Sequence, residues 1–426
     1  MKRQKILLLG QSQSNHQQQL GNFAQLRTWS IQKFLENLDI ETVFLPLTDQ
    51  SSNEGFDVYH PQTLQFIQEI GHQVDACITA GPFLPLLAIH ALPNSCPLWL
   101  DYPSDALADF HAKKGLYPQP TPLEKATLDT QQLQLQGMIE MAFYRADAIS
   151  VISERQKYAT LGQLLMMSQE DIPIHTLPIA FDFPNPVQKQ ESSTKHSNQA
   201  QIALSGSLNA WLNVEEIIHK IQHSSFKLHC TGGDINHYPS QHSKLQDIPN
   251  IIQHGWVSLP ELERILHQCR YGLWVDKGNI EPLLGSRTRA LFYIWHGLIP
   301  IGSCNTELAA FLKDAQALIP WDANQSIEEM CETSILPISS IQKLCADHFH
   351  PEIVYEPLKN WLHAPKRITR PLKDNLFGAN QRLEQELRQI HQSKTWRWGS
   401  KLHHSLNQIV HRIVHKNHLR TFTTKK

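Results

Sequence analysis

The stretch "FPNPVQKQESSTKHSNQA", residues 183 to 200, loses all apolar periodicity and gathers Pro, Gln, Ser and Lys. That composition reads as a linker, since it offers no apolar face to bury. On its N-terminal side, short apolar runs alternate with longer amphipathic segments. Strand candidates are "KILLL" (5 to 9), "ETVFLP" (41 to 46), "DACIT" (75 to 79), "PLWLD" (97 to 101), "DAISVI" (147 to 152) and "IPIHTL" (172 to 177), with helical patterns at 23 to 38 and 122 to 144 between them. On its C-terminal side the alternation restarts, at "QIALSG" (201 to 206), "FKLHC" (226 to 230), "NIIQHG" (250 to 255), "YGLWVD" (271 to 276), "LIPIG" (298 to 302) and "ALIP" (317 to 320). The expectation is an α/β chain with two doubly wound, Rossmann-like domains facing a cleft, each a parallel sheet covered by helices. The boundaries fall at 1–183, a linker at 184–200, a second domain at 201–365, a crossing helix at 366–392 and a basic tail at 393–426.

The whole chain suits this division. At 426 residues it supports two cores, and its 41% hydrophobic and 18% charged residues are those of a globular protein. A formal net charge of −2 argues against nucleic acid as a partner. The seven cysteines are scattered, with no CxxC pair, and read as reduced thiols of a cytosolic protein. The basic N-terminus is followed by an apolar run, Ile6 to Leu9, too short for a signal peptide and better read as a first buried strand. No stretch approaches the roughly 20 apolar residues of a membrane span.

Ligands of doubly wound sheets bind beyond the carboxyl ends of the strands. In the second domain those ends carry "SGSLN" (205 to 209), "TGGD" (231 to 234), "HGWV" (254 to 257) and "DKGNIEPLLGSR" (276 to 287). One such glycine is a turn residue, whereas glycines at successive strand ends favour a nucleotide or phosphate site. The last stretch raises a question of charge. From Ser286 onward, "SRTRALFYIWHG" sets Ala290, Leu291, Ile294 and Trp295 on one helical face and Gly297 at the stop. Ser286 is then the N-cap, and Arg287 and Arg289 fall in the first turn. That turn holds free N–H groups and the positive end of the helix dipole, so arginine is disfavoured there by about 0.3–1 kcal/mol. The answering anion is either Glu281 or Asp276 within the protein, or the phosphate of a ligand.

Over most of its length the order of these motifs resembles a bacterial GT-B glycosyltransferase of glycosyltransferase family 4, of the surface-polysaccharide type. "DYPSDALADF" (101 to 110) is similar to the Asp-rich loop of one bacterial branch, and "ADAISVISERQKYATLGQL" (146 to 164) to its Ser-x-x-Gln stretch. "LSGSLNAWLNVEE", "CTGGD", "HGWV" and "EPLLGSRTRALFYIWHGLIPIGS" follow in that branch's order. The resemblance implies transfer of a sugar, with retained anomeric configuration, from a nucleotide diphosphate donor to a cell-surface glycan or lipid-linked precursor. It implies no cofactor and no divalent metal. In the family an acid at the position of Glu281 opens a Glu-x7-Glu motif and lies against the donor sugar. The second acid, which holds the ribose hydroxyls, would fall at 289, where this chain has Arg289. Family members also carry an Arg and a Lys after the glycine of "SGSLNAWLN", where this chain has Ser207 and Leu212. Arg287 and Arg289 can supply the missing charge, which favours the ligand-phosphate answer.

The donor-binding candidates are therefore Gly206, Ser207, Gly232, Gly233, Gly285, Ser286, Arg287 and Arg289, joined by Gly21 of "LGNF", which either lets a backbone approach the donor or simply turns the chain. N–H groups and guanidinium ions aimed at the departing diphosphate would stabilise the growing negative charge. Glu281 either orients the sugar and stabilises positive charge at the anomeric carbon, or is a solvated loop acid. Asp101 and Asp105, just beyond a first-domain strand, either face the cleft as catalytic acids or cap the next helix. The broken Glu-x7-Glu motif also suits a noncatalytic sugar-nucleotide-binding or scaffold protein of the same fold.

The 24 histidines include His411 and His415, four apart, but no acid follows Glu386 to complete a zinc site. Past Glu386 the chain gathers Lys394, Arg397, Lys401, Arg412, Lys416, Arg420, Lys425 and Lys426, with Trp396, Trp398, Leu402, Leu406, Ile409, Val410 and Ile413 near helical spacing. A basic amphipathic helix of this kind either lies on the anionic inner face of a membrane, as peripheral contact through 393–426, or packs on the protein's own body or a second subunit.

Overall fold

A computed structural model describes residues 3–11, 23–48, 55–115, 119–183, 201–206, 208, 210–232 and 248–368. The chain up to Ile368 forms one compact unit. The first sheet contains β1 (Lys5–Gln11), β2 (Glu41–Thr48), β3 (Phe56–Asp57), β4 (Ala76–Ala80), β5 (Leu98–Asp101), β6 (Ala148–Val151) and β7 (Ile174–Thr176), in the order β3-β2-β1-β4-β5-β6-β7. Every pairing in it is parallel, with Leu8 of β1 opposite Phe44 on one side and Ile78 on the other. Parallel strands are covered on both faces, which is why β1 and β4 read as unbroken apolar runs. Alternate residues feed two cores. Leu7, Leu9, Cys77 and Leu98 pack with Phe143 of the helix Pro122–Arg145, and Ile6, Leu8, Ile78 and Trp99 pack with Ile31 and Phe34 of the helix Phe23–Asn37.

The second sheet, β8 (Gln201–Ser205), β9 (Lys227–Thr231), β10 (Ile251–Gly255), β11 (Tyr271–Trp274), β12 (Ile299–Gly302) and β13 (Ile319–Pro320), has the order β10-β9-β8-β11-β12-β13 and is again all parallel. The chain runs outward from β8 to β10 and then returns to the other side of β8. The switch point therefore lies between the carboxyl ends of β8 and β11, where a doubly wound sheet opens its ligand crevice.

The chain also crosses back. The helix Ile338–Phe349 belongs to the second core, but Val354, Tyr355, Leu358 and Leu362, on the helices Pro351–Val354 and Glu356–His363, pack into the first sheet's core. Tyr355 donates to Ser30, and Gln4 donates to the Leu362 carbonyl. The expected second-domain boundary at 365 thus falls after helices that rest on the first sheet. Beyond them, Arg367 reaches the buried Asp147 at 2.5 Å. The linker 184–200, all but the first residues of the crossing helix 366–392, and the tail 393–426 lie outside the described residues. Among the described residues, no helix is long and apolar enough to cross a membrane.

Candidate functional site

Three neighbouring strands of the second sheet leave it through left-handed glycines. Gly206, Gly232 and Gly255 have φ of 93°, 82° and 65° at the ends of β8, β9 and β10. A side chain is disfavoured at these angles. They are hydrogen-bonded in a staircase, Gly206 N–H to the Thr231 carbonyl at 2.9 Å and Gly232 N–H to the Gly255 carbonyl at 2.7 Å. A Cβ on Gly232 would lie 3.1 Å from Gly206 backbone atoms, so the two turns pack with no room for one.

Across the switch point, beyond β11, the chain forms the short helix Ile280–Leu284 and then the helix Thr288–Trp295. Arg287, not Ser286, occupies the cap position of the second helix, and its side chain turns back to two acids. Its Nε donates to Asp276 Oδ1 at 2.7 Å, its Nη1 to Glu281 Oε1 at 3.2 Å and its Nη2 to Glu281 Oε2 at 2.8 Å. The protein itself thus supplies the anion for Arg287. Burial pushes this guanidinium's pKa down, but Glu281 and Asp276 outweigh it and hold it above its ordinary value. One cation serves two acids, and burial keeps the Asp276 carboxyl above its usual range despite Arg287. Gly285 belongs to the same cluster. A Cβ there would lie 3.1 Å from Glu281 Oε1 and 3.5 Å from Arg287 Nη1.

Arg289 points elsewhere. A Cβ on Gly206 would lie 3.6 Å from its Nη2, so this guanidinium sits over the glycine turn of β8. Burial, with Arg287 beside it, pushes its pKa below the ordinary value, while Tyr293 opposes the shift. Tyr293 ties the helix to the strands by accepting from Ser205 N–H at 2.8 Å and donating to the Leu273 carbonyl. Around the two arginines, four buried oxygens have no hydrogen-bond partner among the described residues: Asp276 Oδ2, Asn279 Oδ1, Ser286 Oγ and Thr288 Oγ1. Unpartnered buried polar atoms are rare in folded proteins, and four within thirteen positions mark a polar site.

No family model and no curated protein sequence matches this chain. Solved structures do. Sucrose-phosphate synthase from Thermosynechococcus elongatus superposes with a TM-score of 0.58 at 13% identity, over 85% of this chain and 98% of that one. HepE of Anabaena, in complex with UDP and glucose, does so at 0.55 and 13%, over 85% and 100%. AviGT4, a glycosyltransferase of avilamycin A biosynthesis, does so at 0.53 and 10%, over 84% and 97%. The fold is GT-B.

In this GT-B chain the first-domain acids are occupied. Asp101 is fully buried at the end of β5, gripped by Arg27 Nε and Nη2 at 3.0 and 2.8 Å and by Ser150 Oγ at 2.7 Å. Arg27 also donates to the Pro178 carbonyl, tying the sheet to the segment that leads into the second domain. Asp105 caps the helix Ala106–Lys114, accepting from Ala108 N–H at 2.9 Å and from Gln163 at 3.2 Å. The capping reading therefore describes Asp105, and Asp101 is turned to the protein interior.

The helix Ala106–Lys114 packs on Ile280–Leu284, and from it Asp109 faces Glu281. Burial raises the Asp109 carboxyl, Lys113 opposes the shift from 2.7 Å, and Glu281 adds to it. Asp109 was missed in the sequence, although "DYPSDALADF" places it one helical turn past Asp105. Gly21, Ser207 and Gly233 lie outside the described residues. Among the described residues, no group of three His, Cys, Asp or Glu side chains could hold a metal ion.

Proposed function

We propose that the chain is a retaining glycosyltransferase that moves a sugar from a nucleoside diphosphate donor to a glycan or lipid-linked acceptor. One observation carries this reading: the half-buried Arg289 lies over the left-handed Gly206 turn at the switch point, beside four buried oxygens without partners among the described residues. A desolvated guanidinium next to a side-chain-free turn suits a diphosphate, because charge attraction strengthens away from water. The oxygens of Asn279, Ser286 and Thr288 suit the hydroxyls of a ribose or sugar. HepE, one of the structural neighbours, has been solved with UDP-glucose.

In the reaction, an acceptor hydroxyl oxygen bonds to the anomeric carbon on the face from which the diphosphate departs. The bond from that carbon to the β-phosphate oxygen breaks, its electron pair leaves with the nucleoside diphosphate, and the acceptor proton passes to the departing phosphate oxygen. Arg289 and the glycine-turn N–H groups stabilise the charge on the leaving diphosphate, and Glu281 holds the sugar and answers positive charge at its anomeric carbon.

A second reading, a noncatalytic sugar-nucleotide-binding protein, is favoured by the engagement of both Glu281 oxygens with Arg287. A thermal-shift screen with UDP, GDP, TDP, CMP and ADP tests the shared part. A diphosphate at about 100 times its Kd adds roughly 2.7 kcal/mol of stability, and no response to any of the five would sink both readings. Consumption of a bound sugar nucleotide then separates them.

A further inference from the structure

We propose that Arg287 is a positioning residue, which fixes the direction of the Glu281 carboxylate by bridging it to Asp276; this role rests on the transferase reading above. Arginine's N–H groups form a rigid planar fork, and three of them are spent on the two acids. The Asp276 end is anchored. Its N–H donates to Ser303 at 2.8 Å, and the flanking backbone is pinned by Asn213 N–H to the Val275 carbonyl and Lys277 N–H to the Trp211 carbonyl. Glu281, by contrast, sits on a five-residue helix between the second sheet and the first-domain helix Ala106–Lys114. Through Arg287, Glu281 takes its direction from the rigid end of β11.

The Glu281 side chain is nine-tenths buried, and on one side it lies against Gly285, where a Cβ would come within 3.1 Å of its Oε1. The charged groups that face Glu281 are Asp276 from the strand end, Asp109 with Lys113 from the first domain, and Arg289 from the following helix. Without Arg287, Glu281 would face Asp276 on one side and Asp109 on the other. The cation that steers Glu281 is thus distinct from the one that meets the donor phosphates, and the two arginines have separate tasks.

The test uses the full chain. Affinity is measured for UDP and GDP. Turnover is measured with UDP-glucose, UDP-galactose, UDP-N-acetylglucosamine and GDP-mannose, with water as acceptor and released nucleoside diphosphate as the signal. Water oxygen then takes the anomeric carbon, the diphosphate leaves with the bonding pair, and the surplus proton goes to solvent. Arg287→Lys keeps the charge and loses the fork. It is expected to bind diphosphate within about twofold of the parent and to lose about 100-fold in kcat, the scale of a misplaced reacting group, with KM little changed. Its crystal structure should show the Glu281 carboxylate turned away. Asp276→Asn keeps the shape and weakens the anchor, so it should lose about tenfold in kcat in the same direction. It serves if Arg287→Lys does not fold.

A loss of tenfold or more in diphosphate affinity for Arg287→Lys would make Arg287 a phosphate ligand and overturn the proposal. Parental turnover in both variants would make it a spectator. A parent that binds diphosphate but consumes none of the four donors favours the noncatalytic reading and takes the positioning role with it, one that binds neither UDP nor GDP removes both readings, and the two variant outcomes above overturn the positioning role alone.

Discussion

Arg289 and Arg287 are two positions apart, yet they face different partners, and substitution should separate them. Arg289→Ala is expected to weaken nucleoside diphosphate binding by about tenfold or more, since a charge-assisted contact contributes about 1.5–3 kcal/mol. Titration calorimetry with UDP and GDP reads this directly, and unchanged affinity in a folded variant would return Arg289 to a packing role.

A second residue-scale prediction concerns His229 and His254, whose rings stack 10° from parallel with Nδ1 and Nε2 3.0 Å apart. Burial, then His254, pushes His229 from 6.5 down to about 4. The unfolded chain takes this proton first as pH falls, so the neutral ring contributes stability that is present above pH 6.5 and lost on the way down to about pH 4. Urea midpoints at pH 7, 5.5 and 4.5 should fall steadily for the parent and less steeply for His229→Leu; identical slopes would exclude the pair as the cause. The sequence offered Glu281 or Asp276 as one answer to Arg287 and a ligand phosphate as the other, and the resemblance favoured the phosphate, whereas the folded chain gives Arg287 both acids. Asp276 and Glu281 lie eleven and six positions back, and only the folded turn at Gly285 decides that they, and not a phosphate, meet Arg287.

At the scale of elements, the two halves are joined by a reciprocal cap. The helix Glu154–Met166 of the first domain receives a carboxylate from the second: Glu307 accepts from Glu154 N–H at 2.8 Å and from Arg155 N–H at 2.6 Å. In return Arg155 donates to the Asn305 carbonyl, and Ser153 donates to the Leu284 carbonyl at 2.6 Å. An acid at a helix N-terminus contributes about 0.3–1 kcal/mol in such partly exposed surroundings. Glu307→Gln should therefore lower stability by no more than about 1 kcal/mol, yet it should let the domains part, seen as a larger radius of gyration by small-angle scattering. An unchanged radius would mean that other contacts hold the cleft.

None of this was visible in "CNTELAAF", where Glu307 reads as a first-turn acid of its own helix. The strands were visible because burial on both faces writes itself as an apolar run. The exceptions are informative: β3 is two residues long, and Ile280–Leu284 is a five-residue helix with Pro282 inside it, each too short for periodicity to register.

At the scale of the molecule, the doubled α/β alternation already implied two doubly wound sheets. The return of Tyr355 and Leu358 to the first core was hidden, because an amphipathic helix does not say which sheet it will cover. The basic stretch from Trp396 to Lys426 lies outside the described residues, so its prediction rests on charge and spacing alone. If it lies on an anionic membrane, the full chain should float with liposomes that contain anionic lipid. Each lysine or arginine near such a surface contributes about 1 kcal/mol. Flotation should weaken as salt rises, because screening cuts the attraction beyond about 10 Å at 0.1 M. Neutral liposomes should leave the chain in solution. A chain ending at Ser393 should not float, yet it should keep its response to nucleoside diphosphate, because Gly206, Gly232 and Arg289 all belong to the compact unit that ends at Ile368. Equal partitioning of the long and short chains, or loss of the folded state on truncation, would place the tail on the protein's own body and end the membrane claim.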